Sequence, residues 1–241
     1  MNHTTTEKET YSQRLLKGGG YLAWQRFARF RAAADAIERY ARKDMRRDLL
    51  DIGAADGIGL PFLKPLADRL VSVNYYENHT REFQAAHPEE EVITADARDL
   101  RLPDGSFDIV ASFETLHLIP VDRLKAIAEI HRVLRPGGLF VCSVPIEIGP
   151  TALIKLAARA KSGHQLDGMT FGMALKHIFP RWFNITQYDR GRQVGFDAYR
   201  FSRDIGPWFD VLEKKAVPIP ILLPFNLVIV ARRKDGKSFK F

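Results

Sequence analysis

The sequence predicts an α/β domain built on a doubly wound, mostly parallel sheet. Three observations carry that prediction. From residue 48 onward, short apolar runs alternate with stretches of helical period. The first run, DLLDI at 48–52, opens into a turn that holds Gly53, Gly57 and Gly59. The chain then closes on two more apolar stretches, VLEKKAVPI and NLVIVAR, joined by the proline-rich PIPILLPF. Strands that alternate with helices form βαβ units, which lie parallel and carry helices on both faces. Ligands of such sheets bind outside the carboxyl ends of the strands, where the strand order reverses.

The elements follow in order. Residues 1–20 end in Lys17-Gly18-Gly19-Gly20 and are expected to be loose. Residues 21–45 carry Leu22, Trp24, Phe27, Phe30, Ala34, Ile37 and Tyr40 at helical spacing, so an amphipathic helix precedes the sheet. DLLDIG is a strand, and GLPFLKPLA starts a helix. RLVSVN is a strand and NHTREFQAAH a helix. EVITAD and FDIVASF are strands, the second after the turn PDGS. VDRLKAIAEIHRVL is a helix with Leu124, Ile127, Ile130 and Leu134 on one face, ended by Arg-Pro-Gly-Gly. LFVCSVPI is a buried strand. TALIKLAARAK is helical, whereas 162–196 shows no clean period. Residues 150–200 are read as an inserted substrate lid or wall. AYRFSRDIGPWFD is helical up to its Gly-Pro. The last two strands lie antiparallel to each other, and the prolines keep their connection out of any central strand. The whole chain, 1–241, reads as one domain with its core at 48–146.

Bulk properties narrow the class. The 241 residues are 46% hydrophobic, enough for one sizeable core. No apolar run reaches 18 residues, and MNHTTTEKETYSQ has no apolar centre, so neither a membrane-spanning helix nor a secretory signal is expected. A single cysteine, Cys142, cannot form an internal disulfide, which suits a reducing cytoplasm. Net charge is +7, from 36 Lys and Arg against 29 Asp and Glu. Much of the excess lies in 26–48 and 231–240. Acids interrupt both stretches, so they read as solvated helix faces and a tail more than as a nucleic-acid surface. No metal site is expected.

The glycine turn carries the chemistry. Glycines between strand and helix let a ligand approach the backbone, and a helix N-terminus favours an anionic group. The spacing is neither G-x-x-x-x-G-K-[ST] nor G-x-G-x-x-G, which argues against a P-loop and against a nicotinamide-dependent oxidoreductase. Asp51, two residues before the first glycine, would repel a pyrophosphate and attract an ammonium group. The loop therefore suits a zwitterion, with its carboxylate on backbone N–H groups and its ammonium near Asp51.

On these residues the chain resembles the class I S-adenosylmethionine-dependent methyltransferases, in the small-molecule group called type 11. The family's first motif, an acid followed by glycines at alternate positions, reads here Asp51, Gly53, Ala55, Gly57, with alanine at the middle glycine. ITADARDLRLPDGSFDIV (93–110), SFETLHLI (112–119) and EIHRVLRPGGLFVCSVP (129–145) are similar to the later motifs in order and spacing. The resemblance covers about 48–146 and implies a seven-stranded Rossmann-like methyltransferase fold. It implies S-adenosylmethionine as cofactor and S-adenosylhomocysteine as product. Asp96 would accept from the adenine amino group, and the Ala97 N–H would meet the ring. The backbone near Phe113 would meet the cofactor's ammonium. Asn74 stands where relatives carry the acid that holds both ribose hydroxyls, and Tyr75 would lie against adenine. Glu77 is a second ribose candidate beside its role at a helix start.

Methyl transfer from a sulfonium needs placement of the acceptor, and a base where an oxygen or nitrogen must lose a proton. His117 is the candidate base, beside the reading of a pocket-lining histidine. Glu114 is read as structural, tying its loop to a helix N-terminus. His164, His177, Tyr188 and Asp189 are candidates for the acceptor pocket. The Asn/Asp-Pro-Pro-aromatic motif of base-amino methylation is absent, and one cysteine cannot perform two-cysteine cytosine chemistry. Residues 191–213 are similar to bacterial type 11 enzymes, some tied to surface polysaccharides or lipid-linked sugars. The expected acceptor is thus a small molecule or glycan, with an anionic or sugar-linked one suiting the charge. An RNA methyltransferase and a non-catalytic S-adenosylmethionine-binding or nucleotide-binding protein are the alternatives on the same fold.

Overall fold

The computed structural model describes residues 19–42, 47–119, 121–146, 196–219 and 223–236. Strand β1 (Asp48–Ile52) is buried at all five positions, as a strand covered on both faces must be. It pairs in parallel with β2 (Arg69–Asn74) on one side and β4 (Phe107–Phe113) on the other. The short β3 (Glu91–Thr94) adds beyond β2, and β5 (Leu134–Pro145) adds beyond β4, both parallel. β7 (Leu223–Arg233) runs antiparallel between β5 and the edge strand β6 (Phe209–Ile219). The sheet order is β3-β2-β1-β4-β5-β7-β6, so the chain reverses direction of growth between β1 and β4.

Helices cover both faces because side chains alternate along each strand. On one face, helix α1 (Gly19–Tyr40) sets Phe30, Ala33, Ala36 and Ile37 against Leu49, Ile109, Val141 and Val230. On the other, helix α4 (Arg123–Val133) sets Ala126, Ile127, Ile130 and Val133 among Val110, Phe140 and Cys142. Helix α5 (Ala198–Asp204) adds Phe201 to that layer, and the Asp197 side chain caps it by accepting from the N–H groups of Tyr199 and Arg200. At the foot of the sheet Arg135 bridges Asp48, at 2.9 Å, and Asp108, joining the starts of β1 and β4.

Several expectations are corrected in detail. Leu124 is 42% exposed, so the buried face of α4 runs through Ala126 and Val133 instead. Arg-Pro-Gly-Gly does not separate helix from strand but lies within β5, where pairing jumps from Phe107–Leu134 to Ile109–Leu139. GLPFLKPLA makes only one short α-turn, α2 (Leu60–Leu63), before Pro65 tightens the chain into a 3₁₀ turn at Lys64–Leu66. Helix α3 spans Glu77–Ala86, and Gly19 and Gly20 already belong to α1. Pro218 and Pro224 sit inside the ends of β6 and β7 and face each other across the ladder. Residues 1–18 and 147–195 lie outside the described residues, so the loose N-terminus and nearly all of the lid segment are not described. Within the basic stretch, Arg39 meets Glu213 at 2.6 Å and Arg47 meets Glu38 at 3.5 Å, which lowers its appeal as an anion surface. Among the described residues no helix is long and apolar enough to cross a membrane.

Candidate cofactor site

A cavity of about 690 Å³ opens at the carboxyl ends of β1, β2 and β4, beside the reversal point. Asp51, Gly53, Ala55, Asn74, Tyr75, Asp96, Ala97, Phe113 and His117 all line it. Gly57 and Glu77 do not, while Glu114 does. His164, His177, Tyr188 and Asp189 lie outside the described residues.

The glycine turn is held from two sides. Gly53 has φ +85°, and a methyl group on it would stand 1.9 Å from Thr115 Oγ1. Gly57 has φ +89°, and a methyl group there would stand 2.6 Å from the His87 ring. Both positions therefore need glycine, for conformation and for close approach. Ala55 also takes a left-handed backbone, φ +53°, without being glycine. Asn74 holds it there. The Ala55 N–H donates to Asn74 Oδ1 at 2.8 Å, and Asn74 Nδ2 donates to the Ala55 carbonyl at 2.8 Å. An amide can serve both groups, whereas an ionised carboxylate only accepts. The two departures from the family pattern, Asn74 and Ala55, are thus one interlocked pair. Each end of the amide keeps one further hydrogen-bonding site for a ligand.

The same geometry narrows which of the loop's N–H groups a ligand could use. Those of Gly53 and Ala54 donate to the Val73 carbonyl at 2.8 and 3.3 Å, and that of Gly57 to the Ala54 carbonyl at 2.9 Å. With Ala55 bound to Asn74, these four donors are spent within the protein. A ligand carboxylate cannot use these four.

Asp51 is 2% exposed, and its Oδ1 has no hydrogen-bond partner among the described residues. Burial pushes its carboxyl up to about 7. A ligand ammonium would supply the missing partner and favour the ionised form. The folded-state pKa lies above the unfolded value, so the empty protein loses stability as pH rises between the two and bears the full penalty above 7. A cationic ligand feels the reverse. Its affinity is expected to rise about tenfold between pH 6 and pH 8 as Asp51 ionises, and to be flat over that range in Asp51→Asn. Titration calorimetry with S-adenosylhomocysteine across the range checks this; a flat native profile would sink it.

Asp96 is clasped by Arg98, whose Nε and Nη2 donate to its carboxylate at 2.6–3.1 Å and whose backbone N–H adds a bond at 2.8 Å. These bonds hold the Asp96 carboxyl below the usual range. Tyr75 and Tyr76 are 57% and 58% exposed and meet edge to face, with centroids 4.9 Å apart. Phe113 is buried against Phe30, 4.7 Å between centroids. Glu114 ties its loop to two strands. Its Oε1 accepts from Ser143 Oγ at 3.2 Å and from Asn226 Nδ2 at 2.7 Å, linking it to β5 and β7. His117 is 4% exposed and lies edge-on to Phe196 at 5.9 Å. Its turn is held by Arg123, which donates to the carbonyls of Leu116, His117 and Ile119 at 2.7–3.2 Å. No group of three or more His, Cys, Asp or Glu placed to hold a metal occurs among the described residues.

Sequence reasoning missed Arg29, Arg98 and Thr115, all of which line or shape the cavity. Arg29 stood in a basic stretch read as a solvated face. The Asp-x-Arg spacing of 96 and 98 was a legible signal for an ion pair.

The seven-stranded sheet order, with its antiparallel β7 and its cavity at the reversal point, is a Rossmann-like methyltransferase fold. The family model described as "Methyltransferase domain" matches residues 50–142 of this chain. A probable S-adenosylmethionine-dependent methyltransferase of Mycolicibacterium smegmatis is 32% identical over 120 residues, covering 49% of this chain and 46% of that protein. The chain thus spans less than half the length of this relative. Two solved structures share the fold. The PH0226 protein of Pyrococcus horikoshii superposes with TM-score 0.62 at 19% identity, covering 90% of this chain and 93% of that one. The 1,6-didemethyltoxoflavin-N1-methyltransferase of Burkholderia thailandensis, solved with 1,6-didemethyltoxoflavin and S-adenosylhomocysteine, gives TM-score 0.57 at 19% identity over 88% and 81% of the two chains.

Proposed function

We propose that the protein transfers a methyl group from S-adenosylmethionine to an oxygen or nitrogen of a small molecule or glycan. The observation that carries this is Asp51, a buried carboxylate with an unpartnered oxygen beside a glycine turn at the strand-reversal cavity. It fits the ammonium of the cofactor's amino-acid end and disfavours a pyrophosphate. Bound there, the cofactor supplies an electrophilic methyl on a sulfonium. The chain's own task is to place and desolvate the acceptor. Asn74 holds the loop and offers its remaining amide sites to the ribose, while Tyr75 supplies an exposed ring for adenine. Asp96, already ionised by Arg98, accepts from the adenine amino group. His117 accepts the acceptor's proton from its place in the cavity wall, on a turn that Arg123 holds.

Calorimetry tests the reading. S-adenosylhomocysteine is expected to bind and NAD to give no heat. Methyl transfer by His117→Gln is expected to fall at least tenfold with S-adenosylhomocysteine affinity unchanged. Tight NAD binding with no response to S-adenosylhomocysteine would overturn the function. An unchanged turnover would remove His117 from it.

A further inference from the structure

Arg29 lies on α1, outside the segment that matches the family model. It is 6% exposed and lines the cavity. Its Nε has no hydrogen-bond partner among the described residues, and its guanidinium lies 4.8 Å from the centroid of the Phe30 ring. A buried guanidinium without a counter-ion is costly, and such groups mark places where an anion belongs. Phe30 fixes where that place is. Its ring stacks on Phe62 at 5.4 Å and packs on Phe113 at 4.7 Å. A methyl group on Gly59 would touch Phe30 at 3.3 Å and Asp51 Oδ2 at 3.4 Å. The ring under Arg29 and the carboxylate of Asp51 therefore both flank Gly59 in the glycine turn.

Two buried, opposite charges thus line one cavity, each with an unpartnered polar atom. The loop's N–H groups at Gly53, Ala54, Ala55 and Gly57 are occupied. We infer that Arg29 receives the α-carboxylate of the cofactor's amino-acid end, opposite Asp51, which receives its ammonium. The inference rests on the S-adenosylmethionine reading and assigns a binding residue that this reading lacked. Arg29 is a positioning residue for the methyl donor: it sets where the chain carrying the sulfonium begins.

The test uses two ligands that differ only in the carboxylate, S-adenosylhomocysteine and S-adenosyl-3-thiopropylamine. Native protein is expected to bind the first at least tenfold more tightly, the strength of a charge-assisted bond. In Arg29→Met the affinity for S-adenosylhomocysteine falls at least tenfold, that for the amine stays within about threefold, and Arg29→Lys recovers part of the loss. The melting temperature of ligand-free Arg29→Met is unchanged or raised, since an unpartnered buried charge is gone. Equal affinity of native protein for the two ligands would overturn the inference, as would an equal loss of both in Arg29→Met. If native protein binds neither ligand, the cofactor reading itself falls and the inference goes with it.

Discussion

Gly53→Ala is expected to destabilise the protein by about 3 kcal/mol or more and to abolish cofactor binding. Two effects add. A side chain at φ +85° costs about 1–2 kcal/mol in backbone strain. The new methyl group would also lie 1.9 Å from Thr115 Oγ1 and 2.7 Å from Thr115 Cβ and Cγ2. Thr115 cannot step aside cheaply, because its hydroxyl donates to the Phe113 carbonyl at 3.0 Å and its own carbonyl begins the turn that carries His117. The glycine turn and the turn that carries His117 would be driven apart together. Urea denaturation measures the loss, and a change below about 1 kcal/mol would show that the turns yield easily. Ala55→Gly is the control two residues away. It relieves strain at φ +53° but frees the unfolded chain, and the net change is expected to stay within about 1 kcal/mol.

Asn74→Asp is the second large effect, and its direction runs against the family pattern. The substitution installs the ribose-binding acid that the resemblance leads one to expect at this position. Here it replaces the donor that meets the Ala55 carbonyl at 2.8 Å with a second acceptor. Two oxygens then face each other in a site where Asn74 is 2% exposed. A loss of about 2–3 kcal/mol is expected at pH 7, with weaker S-adenosylhomocysteine binding. The sign with pH is definite. Only the protonated acid can donate to Ala55, so its folded-state pKa is raised. The penalty is absent below the ordinary aspartate range and complete above the raised value. Denaturation midpoints of both proteins at acidic and neutral pH check this. A variant as stable as native that binds S-adenosylhomocysteine more tightly would show that the ribose acid outweighs the loop clamp.

Much of the fold was legible because its cause is local. Buried strands such as β1 and β4 are short apolar runs, and Gly53 and Gly57 mark a turn that no other residue fits. Legibility ends where partners are distant in the chain. Asn74 was placed correctly at the tip of β2, but its commitment to Ala55, 19 residues earlier, depends on how β1 and β2 align. Leu124 has helical spacing with Ile127, yet it sits in the first turn of α4 and stays exposed. Glu114 reaches strands β5 and β7, which only the assembled sheet brings near. Arg29 is the clearest case. Charge alone marks a surface residue, and only the packing of Phe30 over the glycine turn draws it inside.

β7 slots between β5 and β6. Ile146 is anchored by its N–H to the Phe225 carbonyl at 2.9 Å, and Phe196 is buried at 3% against His117. Residues 146 and 196 are thus two fixed points, one at the end of β5 and one just before α5. The entropy of closing a connection between fixed points grows only with the logarithm of its length, about 0.6 kcal/mol for each doubling. A change in length between two such points is therefore expected to cost little stability, because the strands on either side keep their register.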